Sequence, residues 1–197
     1  LNESKGYDIF GKSIIKILNK HKEWSAFVIG DEPRQKFFFN HPNLHHYGFK
    51  DNKFVLNMLK KVSIAVVPSR WDEPFGRSSL EAASRGCALI ISNTGGLSET
   101  TNDALILDNI SAENLYGKIE TLIKDNKLRK NLQINAHKNF TLTNKKVSNQ
   151  IDKIRENLIN KNINILTKTS KILKIIHIKN LNERFDGRLH YNTGKRI

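Results

Sequence analysis

Short apolar blocks alternate with amphipathic stretches along most of the chain. Blocks rich in β-branched residues are typical of buried strands, whereas apolar residues spaced three and four positions apart indicate helices. We predict strands over residues 24–29, 43–47, 62–67, 87–92 and 104–107, and helices over residues 8–20, 52–61, 78–85, 112–124, 127–138 and 145–158. This alternation predicts an α/β fold built on a doubly wound parallel sheet.

One stretch in the middle of the chain joins a strand to a helix through a loop that contains proline and glycine. The apolar run 62–67 ends at Pro68, and the next helix is predicted to begin with Ser78 as N-cap and to end before Gly86. Glu81, three residues after Ser78, would complete a capping box. In an open parallel sheet such a loop lies at the carboxyl edge, where ligands bind, and a helix N-terminus suits phosphate.

The pattern changes after residue 158. Residues 159–170 are polar and rich in Asn, Lys and Thr, and we expect a linker there. An apolar run follows at the start of residues 171–197, and the remainder is polar and contains glycine. We therefore predict a main domain over residues 1–158 and a partial extra strand near the C-terminus, as the truncated start of a second unit.

The composition is strongly basic. The 197 residues carry a formal net charge of +14, which raises nucleic acid, anionic membranes and phosphate-bearing ligands as partners. Because the lysines are scattered, a solvated basic surface and a functional basic face both remain open. The single cysteine, Cys87, excludes a disulfide within the chain, and its place before an apolar strand predicts a buried thiol. No apolar run reaches the ~18 residues of a transmembrane helix.

The central stretch contains two glutamates, Glu73 and Glu81, in the sequence Glu-Pro-Phe-Gly-Arg-Ser-Ser-Leu-Glu. Other features accompany it: Lys5-Gly6 before a helix, Val28-Ile29-Gly30, Tyr47-Gly48-Phe49, Gly86 before a strand, and Gly95-Gly96-Leu97-Ser98-Glu99. This combination resembles the C-terminal, donor-binding domain of retaining glycosyltransferases with the GT-B architecture, in the family 4 or group 1 class. The resemblance covers residues 1–158 and implies a Rossmann-like fold, the C-terminal half of a GT-B enzyme.

The resemblance implies a hexosyl-type transferase (EC 2.4) that moves a sugar from a nucleotide-diphosphate sugar to an acceptor with retention, in glycan, polysaccharide or glycolipid synthesis. It implies catalytic roles for Glu73, which contacts the donor sugar, and for Lys5, which contacts the diphosphate. Glu81 would accept hydrogen bonds from the ribose hydroxyls. Further donor contacts are implied at Gly30, Phe75, Gly76, Arg77, Ser78 and Ser79, and base contacts at Tyr47 and Phe49.

Each of these assignments has a simpler alternative. Lys5 and Arg77 are also explained as solvated surface charges, and Glu81 as a capping-box residue. Glu73 is also explained as an ordinary loop residue before proline. The aromatic rings of Tyr47 and Phe49 are equally explained by burial at the end of a strand.

The resemblance also sets expectations about cofactors and partners. No cofactor or metal is expected, because a helix dipole and basic side chains can stabilise the diphosphate. The family's N-terminal acceptor domain is missing from this sequence, so we expect the isolated chain to be inactive, and residues 171–197 resemble the start of another transferase. A cytoplasmic location is expected, and peripheral contact with the inner face of a membrane is left open. The alternative function is a non-catalytic nucleotide- or nucleic-acid-binding module, although the lysines lack interleaved aromatic residues, which makes nucleic acid the less favoured partner.

Overall fold

The computed structural model describes residues 1–32 and 37–166, and for residues 160–166 it describes the backbone alone. Within these residues five strands are interspersed with helices, and three helices follow the last strand. The strands are β1 (Ala26–Val28), β2 (Leu44–His46), β3 (Ile64–Val67), β4 (Ala88–Ser92) and β5 (Ala104–Leu107). The helices are α1 (Tyr7–Lys20), α2 (Asn52–Leu59), α3 (Arg77–Ser84), α4 (Ala112–Lys124), α5 (Asn126–Asn139) and α6 (Asn144–Leu166), with a short 3₁₀ helix at Gly95–Glu99.

Every strand pairing is parallel. β1 pairs with β2, with Ala26 opposite Leu44, and β4 lies between β3 and β5 in a second sheet. In that sheet Ile90 lies opposite Val66 on one side and Leu105 on the other. All five residues of β4 are buried, as expected for an apolar strand that is covered on both faces.

The side chains of β4 alternate between two apolar cores. Ala88 and Ile90 join the larger core, which contains residues of α1 and α4 such as Ile17 and Leu115. Leu89 and Ile91 join a second core with the small residues of α3 and Ala136 of α5. Helices therefore cover both faces of the sheet, and the predicted doubly wound α/β fold is confirmed.

The end of α3 and the start of β4 follow the prediction. Gly86 comes directly after the C-cap residue Arg85 and has a positive φ of 73°, a conformation that suits glycine. Cys87 is fully buried, as predicted, and burial raises the pKa of its thiol to about 11.

The C-terminal part of the chain differs from the predicted pattern. The compact unit that contains the sheets is Leu1–Leu142, and α6 belongs to a second unit that begins at Thr143. The helix predicted over 145–158 continues to Leu166, because the polar residues of the expected linker still allow helical geometry. The rest of that linker and the predicted strand within 171–197 lie outside the described residues, so the domain boundaries stay predictions.

One charge cluster fastens α1 to α4 on the larger core. The carboxylate of Glu120 on α4 lies 2.5 Å from the ammonium of Lys20 on α1 and 3.3 Å from that of Lys124. The hydroxyl of Tyr116 also donates to it. The hydrogen bond from Lys20, supported by these neighbours, lowers the pKa of Glu120 to about 2.

We predict that Glu120→Gln lowers the urea midpoint of unfolding at pH 7. A carboxyl whose pKa is lower in the folded than in the unfolded protein stabilises the fold above its ordinary pKa, and this contribution is lost as the pH falls toward about 2. The difference between variant and parent should therefore shrink below pH ~4. The control is Glu156→Gln, at an exposed position on α6. It should leave the urea midpoint unchanged at pH 7 and at pH 2.5. A difference that is as large at pH 2.5 as at pH 7 would show that packing, not charge, explains the effect.

Candidate functional site

The loop after β3 lies at the carboxyl end of the strands, as the sequence predicts. Its residues, 68–76, connect β3 to α3, and β4 ends beside it because the two strands run parallel. The hydroxyls of Ser92, the last residue of β4, and of Thr94, two residues later, both donate to the carbonyl oxygen of Ser69, at 2.6 and 3.0 Å. These hydrogen bonds hold the first residues of the loop in place.

The first residues of the chain are attached to the same loop. The carbonyl oxygen of Ser4 accepts hydrogen bonds from the backbone N–H groups of Arg70 and Trp71, at 2.8 and 3.1 Å. Gly6, directly before α1, has φ of 71°, and a Cβ atom there would overlap the carbonyl oxygen of Pro68. Glycine therefore allows the start of α1 to pack closely against the end of β3.

This attachment brings together the two residues predicted to be catalytic. The ammonium of Lys5 forms an ion pair with Oε1 of Glu73, and the hydroxyl of Ser69 donates to the same oxygen at 3.1 Å. The side chain of Glu73 is only 18% exposed, whereas that of Lys5 is 50% exposed. Lys5 has three donors, so it can bind Glu73 and still donate to another anion. Lys5 is paired at this edge of the sheet while half of its side chain remains in solvent, so its proposed role and the alternative of a solvated surface charge both stay open.

A second ion pair beside the first was not predicted from the sequence. The guanidinium of Arg70 donates to both oxygens of Asp8, at 2.7 and 2.9 Å, and to the carbonyl oxygen of Glu3 at 2.6 Å. These hydrogen bonds lower the pKa of Asp8 and raise that of Arg70. A bidentate pair fixes both distance and angle, so this contact sets the position of the first turn of α1 against the loop.

The loop is also held from the side of the 3₁₀ helix. The backbone N–H of Gly96 donates to the carbonyl oxygen of Glu73 at 2.6 Å. A Cβ atom on Gly96 would lie 2.8 Å from the carbonyl oxygen of Pro74, so the two segments approach more closely than a side chain permits. The backbone at Glu73 and Pro74 is thereby held close to the 3₁₀ helix.

The start of α3 differs from the prediction. The helix begins at Arg77, and its N-cap is Gly76, with φ of 71° and no side-chain cap, so the assignment of Ser78 as N-cap is wrong. Glycine reaches this left-handed conformation without strain, which lets the helix begin one residue before Ser78. The hydroxyl of Ser79 is buried and bonds to the carbonyl oxygen of Gly76 at 2.6 Å and to the hydroxyl of Thr100 at 2.8 Å. Among the described residues the backbone N–H groups of Ser78 and Ser79 have no acceptor.

The predicted capping-box role of Glu81 is also wrong. Its Oε1 accepts from Nε of Arg77 at 2.8 Å and from Nδ2 of Asn52, on α2, at 2.9 Å, instead of from a backbone N–H at the start of α3. The side chain of Glu81 is 20% exposed and that of Arg77 is 75% exposed. Sequence reasoning missed Asn52, because it lies 29 positions away on another helix and forms no recognisable motif with Glu81.

The residues predicted to lie on the base side are open to solvent. Phe49 is 83% exposed, so the alternative of a buried aromatic ring is wrong for it. Tyr47 is 37% exposed and packs edge-on against Phe54, with 5.4 Å between ring centroids. Gly30, at φ of 126°, donates its N–H to the carbonyl oxygen of Gly48 at 2.8 Å, which joins the loops after β1 and β2. Phe75, on the loop before α3, is 53% exposed.

The described residues contain neither a metal-binding cluster nor a membrane-spanning helix. Within residues 1–32 and 37–166 no three His, Cys, Asp or Glu side chains are grouped as a metal site requires. None of the helices in this part of the chain combines the length and apolar character needed to cross a membrane.

The fold defines the class of doubly wound α/β domains, in which ligands bind at the carboxyl ends of the parallel strands. The family model for glycosyl transferases group 1 matches residues 1–139, and the chain belongs to that family. A crystal structure of the C-terminal domain of a glycosyl transferase group 1 family protein from Francisella tularensis is similar, with 26% identity and a TM-score of 0.60 over 70% of this chain and 78% of that one. The predicted GT-B resemblance is thereby confirmed.

Two further comparisons cover less of the other protein. An N,N'-diacetylbacillosaminyl-diphospho-undecaprenol alpha-1,3-N-acetylgalactosaminyltransferase of Campylobacter jejuni is 34% identical over 102 residues, 50% of this chain and 26% of that protein. An Anabaena protein crystallised with UDP-glucose shares the fold, with a TM-score of 0.58 at 18% identity, over 70% of this chain and 40% of the other. The chain spans between 25% and 28% of the length of the curated relatives it matches.

We predict that Asp8→Asn lowers the free energy of unfolding by about 1.5–3 kcal/mol, because it removes the charge from a bidentate hydrogen-bonded pair. The contribution of Asp8 is present above its unfolded pKa of about 3.9 and is lost as the pH falls through its lower folded value. Urea unfolding at pH 7 and pH 3 measures both effects.

Asp152→Asn is the matched control for this measurement. Asp152 pairs with Arg155 on the surface of α6 at 3.5 Å, with both side chains well exposed, so its loss should cost under about 0.5 kcal/mol. Equal effects of the two substitutions would contradict a special role for the contact between Asp8 and Arg70.

Proposed function

We propose that this chain is the donor-binding domain of a hexosyl-type glycosyltransferase that moves a sugar from a nucleotide-diphosphate sugar to an acceptor, with retention, in glycan, polysaccharide or glycolipid synthesis. The observation that carries the proposal is the meeting of Lys5, Glu73 and the first turn of α3 at the carboxyl end of β3. These groups provide positive charge, a carboxylate and free N–H donors within one loop system.

The diphosphate is the leaving group, and its developing charge is what this site would stabilise. When the bond between the anomeric carbon and the phosphate oxygen breaks, the electron pair passes to the diphosphate. Lys5 would donate to it, and the free N–H groups of Ser78 and Ser79 at the positive end of α3 would do the same. Arg77, largely exposed on that turn, supplies further charge, so these fixed groups can take the role that a metal ion has in other transferases.

The two glutamates would hold the hydroxyl groups of the donor. Glu73 lies on the loop at the strand ends, where the sugar would follow the diphosphate, and the backbone at Phe75 and Gly76 would approach it closely. Glu81 lies one turn further along α3 and would accept from the ribose. A carboxylate suits both tasks, since it accepts several hydrogen bonds and donates none.

The base would lie beside the loops after β1 and β2. Tyr47 and Phe49 present exposed ring surface there, and Gly30 keeps the neighbouring loop close to Gly48. Aromatic faces stack on any nucleobase, so these residues support binding of a nucleotide without selecting its base.

The relatives favour a donor of this class. The Campylobacter jejuni protein is named as an N-acetylgalactosaminyltransferase, two other relatives are named glycogen synthase of Mycobacterium tuberculosis, and the Anabaena structure contains UDP-glucose. All of these names describe sugar transfer or a sugar nucleotide. We therefore propose UDP-sugars as the first donors to test.

We predict that Glu81→Ala weakens binding of UDP and UDP-glucose alike, by about 1.5–3 kcal/mol, because the ribose loses a charged acceptor. Glu73→Ala should spare UDP and weaken only UDP-glucose, because it contacts the sugar. Isothermal titration calorimetry measures both. Glu113→Ala, an exposed position on α4, is the control and should bind both ligands as the parent does.

The site assignment fails if both glutamate variants bind both ligands like the parent. Thermal melting of each variant separates loss of the site from loss of the fold. A variant that melts far below the parent would attribute weaker binding to the fold instead.

We further predict that the 197-residue chain binds a nucleotide sugar but transfers it very slowly. In a two-domain transferase the facing domain positions the acceptor and excludes water, and such positioning is worth about 7–11 kcal/mol of the barrier. Release of UDP from UDP-sugars in the presence of candidate acceptors is the assay. Rapid turnover by this chain alone would contradict the proposal, because turnover requires groups that position the acceptor, and we assign that task to a facing domain.

The basic composition favours a second candidate, a non-catalytic nucleotide- or nucleic-acid-binding module. Residues 143–197 contain 13 basic and 4 acidic residues, a net +9, whereas residues 1–142, with the candidate site, carry a net +5. The excess charge is thus concentrated outside the compact unit. Competition between UDP-glucose and single-stranded DNA at about 150 mM salt separates the two, since binding to DNA phosphates weakens steeply with salt.

A further inference from the structure

The carboxylate of Glu81 is held unsymmetrically. Its Oε1 accepts two hydrogen bonds, from Arg77 at 2.8 Å and from Asn52 at 2.9 Å, and these donors come from different helices. Among the described residues its Oε2 has no partner. One oxygen is therefore used by the protein, and the other is available to a ligand.

The two donors differ in how firmly they are held. Arg77 is 75% exposed and reaches Glu81 from the same helix through a long, flexible side chain. Asn52 is the first residue of α2, next to Asp51, whose side chain caps that helix by accepting from the N–H of Phe54 at 2.7 Å. Asn52 has a short side chain on a capped helix end, so it has fewer conformations to lose than Arg77 and is the better anchor for the carboxylate.

Asn52 also connects two parts of the candidate site. It follows the loop that begins at Tyr47, and Tyr47 packs against Phe54 in the first turn of α2. Its side chain then reaches α3 through Glu81. The base-side loop and the carboxylate proposed to bind ribose are thus joined by one hydrogen bond.

We propose that Asn52 is a positioning residue that orients Glu81 toward the ribose and thereby makes the site prefer ribonucleotides over 2′-deoxyribonucleotides. The inference rests on the proposed function. With Oε1 engaged by Asn52, Oε2 is directed away from both donors and presents its lone pairs to the vicinal hydroxyls of ribose. Without Asn52 the carboxylate follows the flexible Arg77, and the geometry for two hydroxyls is lost.

The experiment compares UDP with 2′-deoxy-UDP by calorimetry on the full 197-residue chain. UDP, GDP and ADP are screened first, and if GDP or ADP binds better, that nucleotide and its 2′-deoxy form replace the uridine pair. The parent should prefer the ribonucleotide. Asn52→Ala should reduce the ratio of the two dissociation constants by about two- to tenfold, as expected for one hydrogen bond, with a smaller change in binding of the deoxy form. Asp51 still caps α2 in this variant, so the helix start is retained.

Asn139→Ala is the matched control. Asn139 on α5 also donates its side-chain amide to an acidic residue, Asp103, at 2.8 Å, far along the chain from the glutamate pair. Removal of this amide should leave the ratio of the dissociation constants of UDP and 2′-deoxy-UDP unchanged. Should Asn52→Ala fail to fold, Asn52→Asp is the second variant. It keeps the shape of the side chain and suits the first turn of a helix, but it replaces the amide donor with a carboxylate. It should reduce the ratio of the two dissociation constants at least as much as Asn52→Ala.

The possible results separate the two proposals. If the parent binds UDP without preferring it to 2′-deoxy-UDP, or if Asn52→Ala weakens both ligands equally, the role of Asn52 is overturned while the proposed function stands. If the parent binds none of the three nucleoside diphosphates, the proposed function and this inference are overturned together. A reduced ratio in Asn52→Ala with an unchanged ratio in Asn139→Ala supports the inference.

Discussion

The candidate site depends on one attachment, that of the first residues of the chain to the loop after β3. Two backbone N–H groups of the loop share the carbonyl oxygen of Ser4, and Arg70 binds Asp8 through two parallel hydrogen bonds. Gly6 makes the approach possible, because a side chain there would overlap Pro68. This contact holds Lys5 close to Glu73, although the two residues lie 68 positions apart in the sequence.

The structure separates the charges that support the loop from those that can act on a ligand. Arg70 and Asp8 satisfy each other, and the buried hydroxyls of Ser79 and Ser92 are used by neighbouring protein groups. Lys5, in contrast, is half exposed while paired. A site held in this way is preorganised, since its supporting groups need not move when a ligand binds, and preorganised charge is what stabilises a leaving anion most effectively.

Local patterns predicted the fold well, whereas contacts between distant segments escaped prediction. The apolar blocks located the five strands found in residues 1–32 and 37–166, and α4 begins and ends at the predicted residues, because both features depend on neighbours in sequence. The pair between Arg70 and Asp8 and the bond from Asn52 to Glu81 join segments 62 and 29 positions apart, for which one sequence carries no local signal. The N-cap of α3 was misassigned because the positive φ of Gly76, not a serine hydroxyl, starts the helix.

The two glutamates share an arrangement in which one oxygen is held by the protein and the other is left open. Oε1 of Glu73 is engaged by Lys5 and Ser69, and Oε1 of Glu81 by Arg77 and Asn52, while in the described part of the chain Oε2 of each has no partner. Both side chains are at most 20% exposed, yet in the described residues neither Oε2 is among the fully buried atoms that lack a partner, so water can reach both oxygens. Neither glutamate caps α3. A ligand rich in hydroxyl groups would replace that water as the donor, so the arrangement that we propose for binding a sugar nucleotide needs no movement of the protein groups that hold each Oε1.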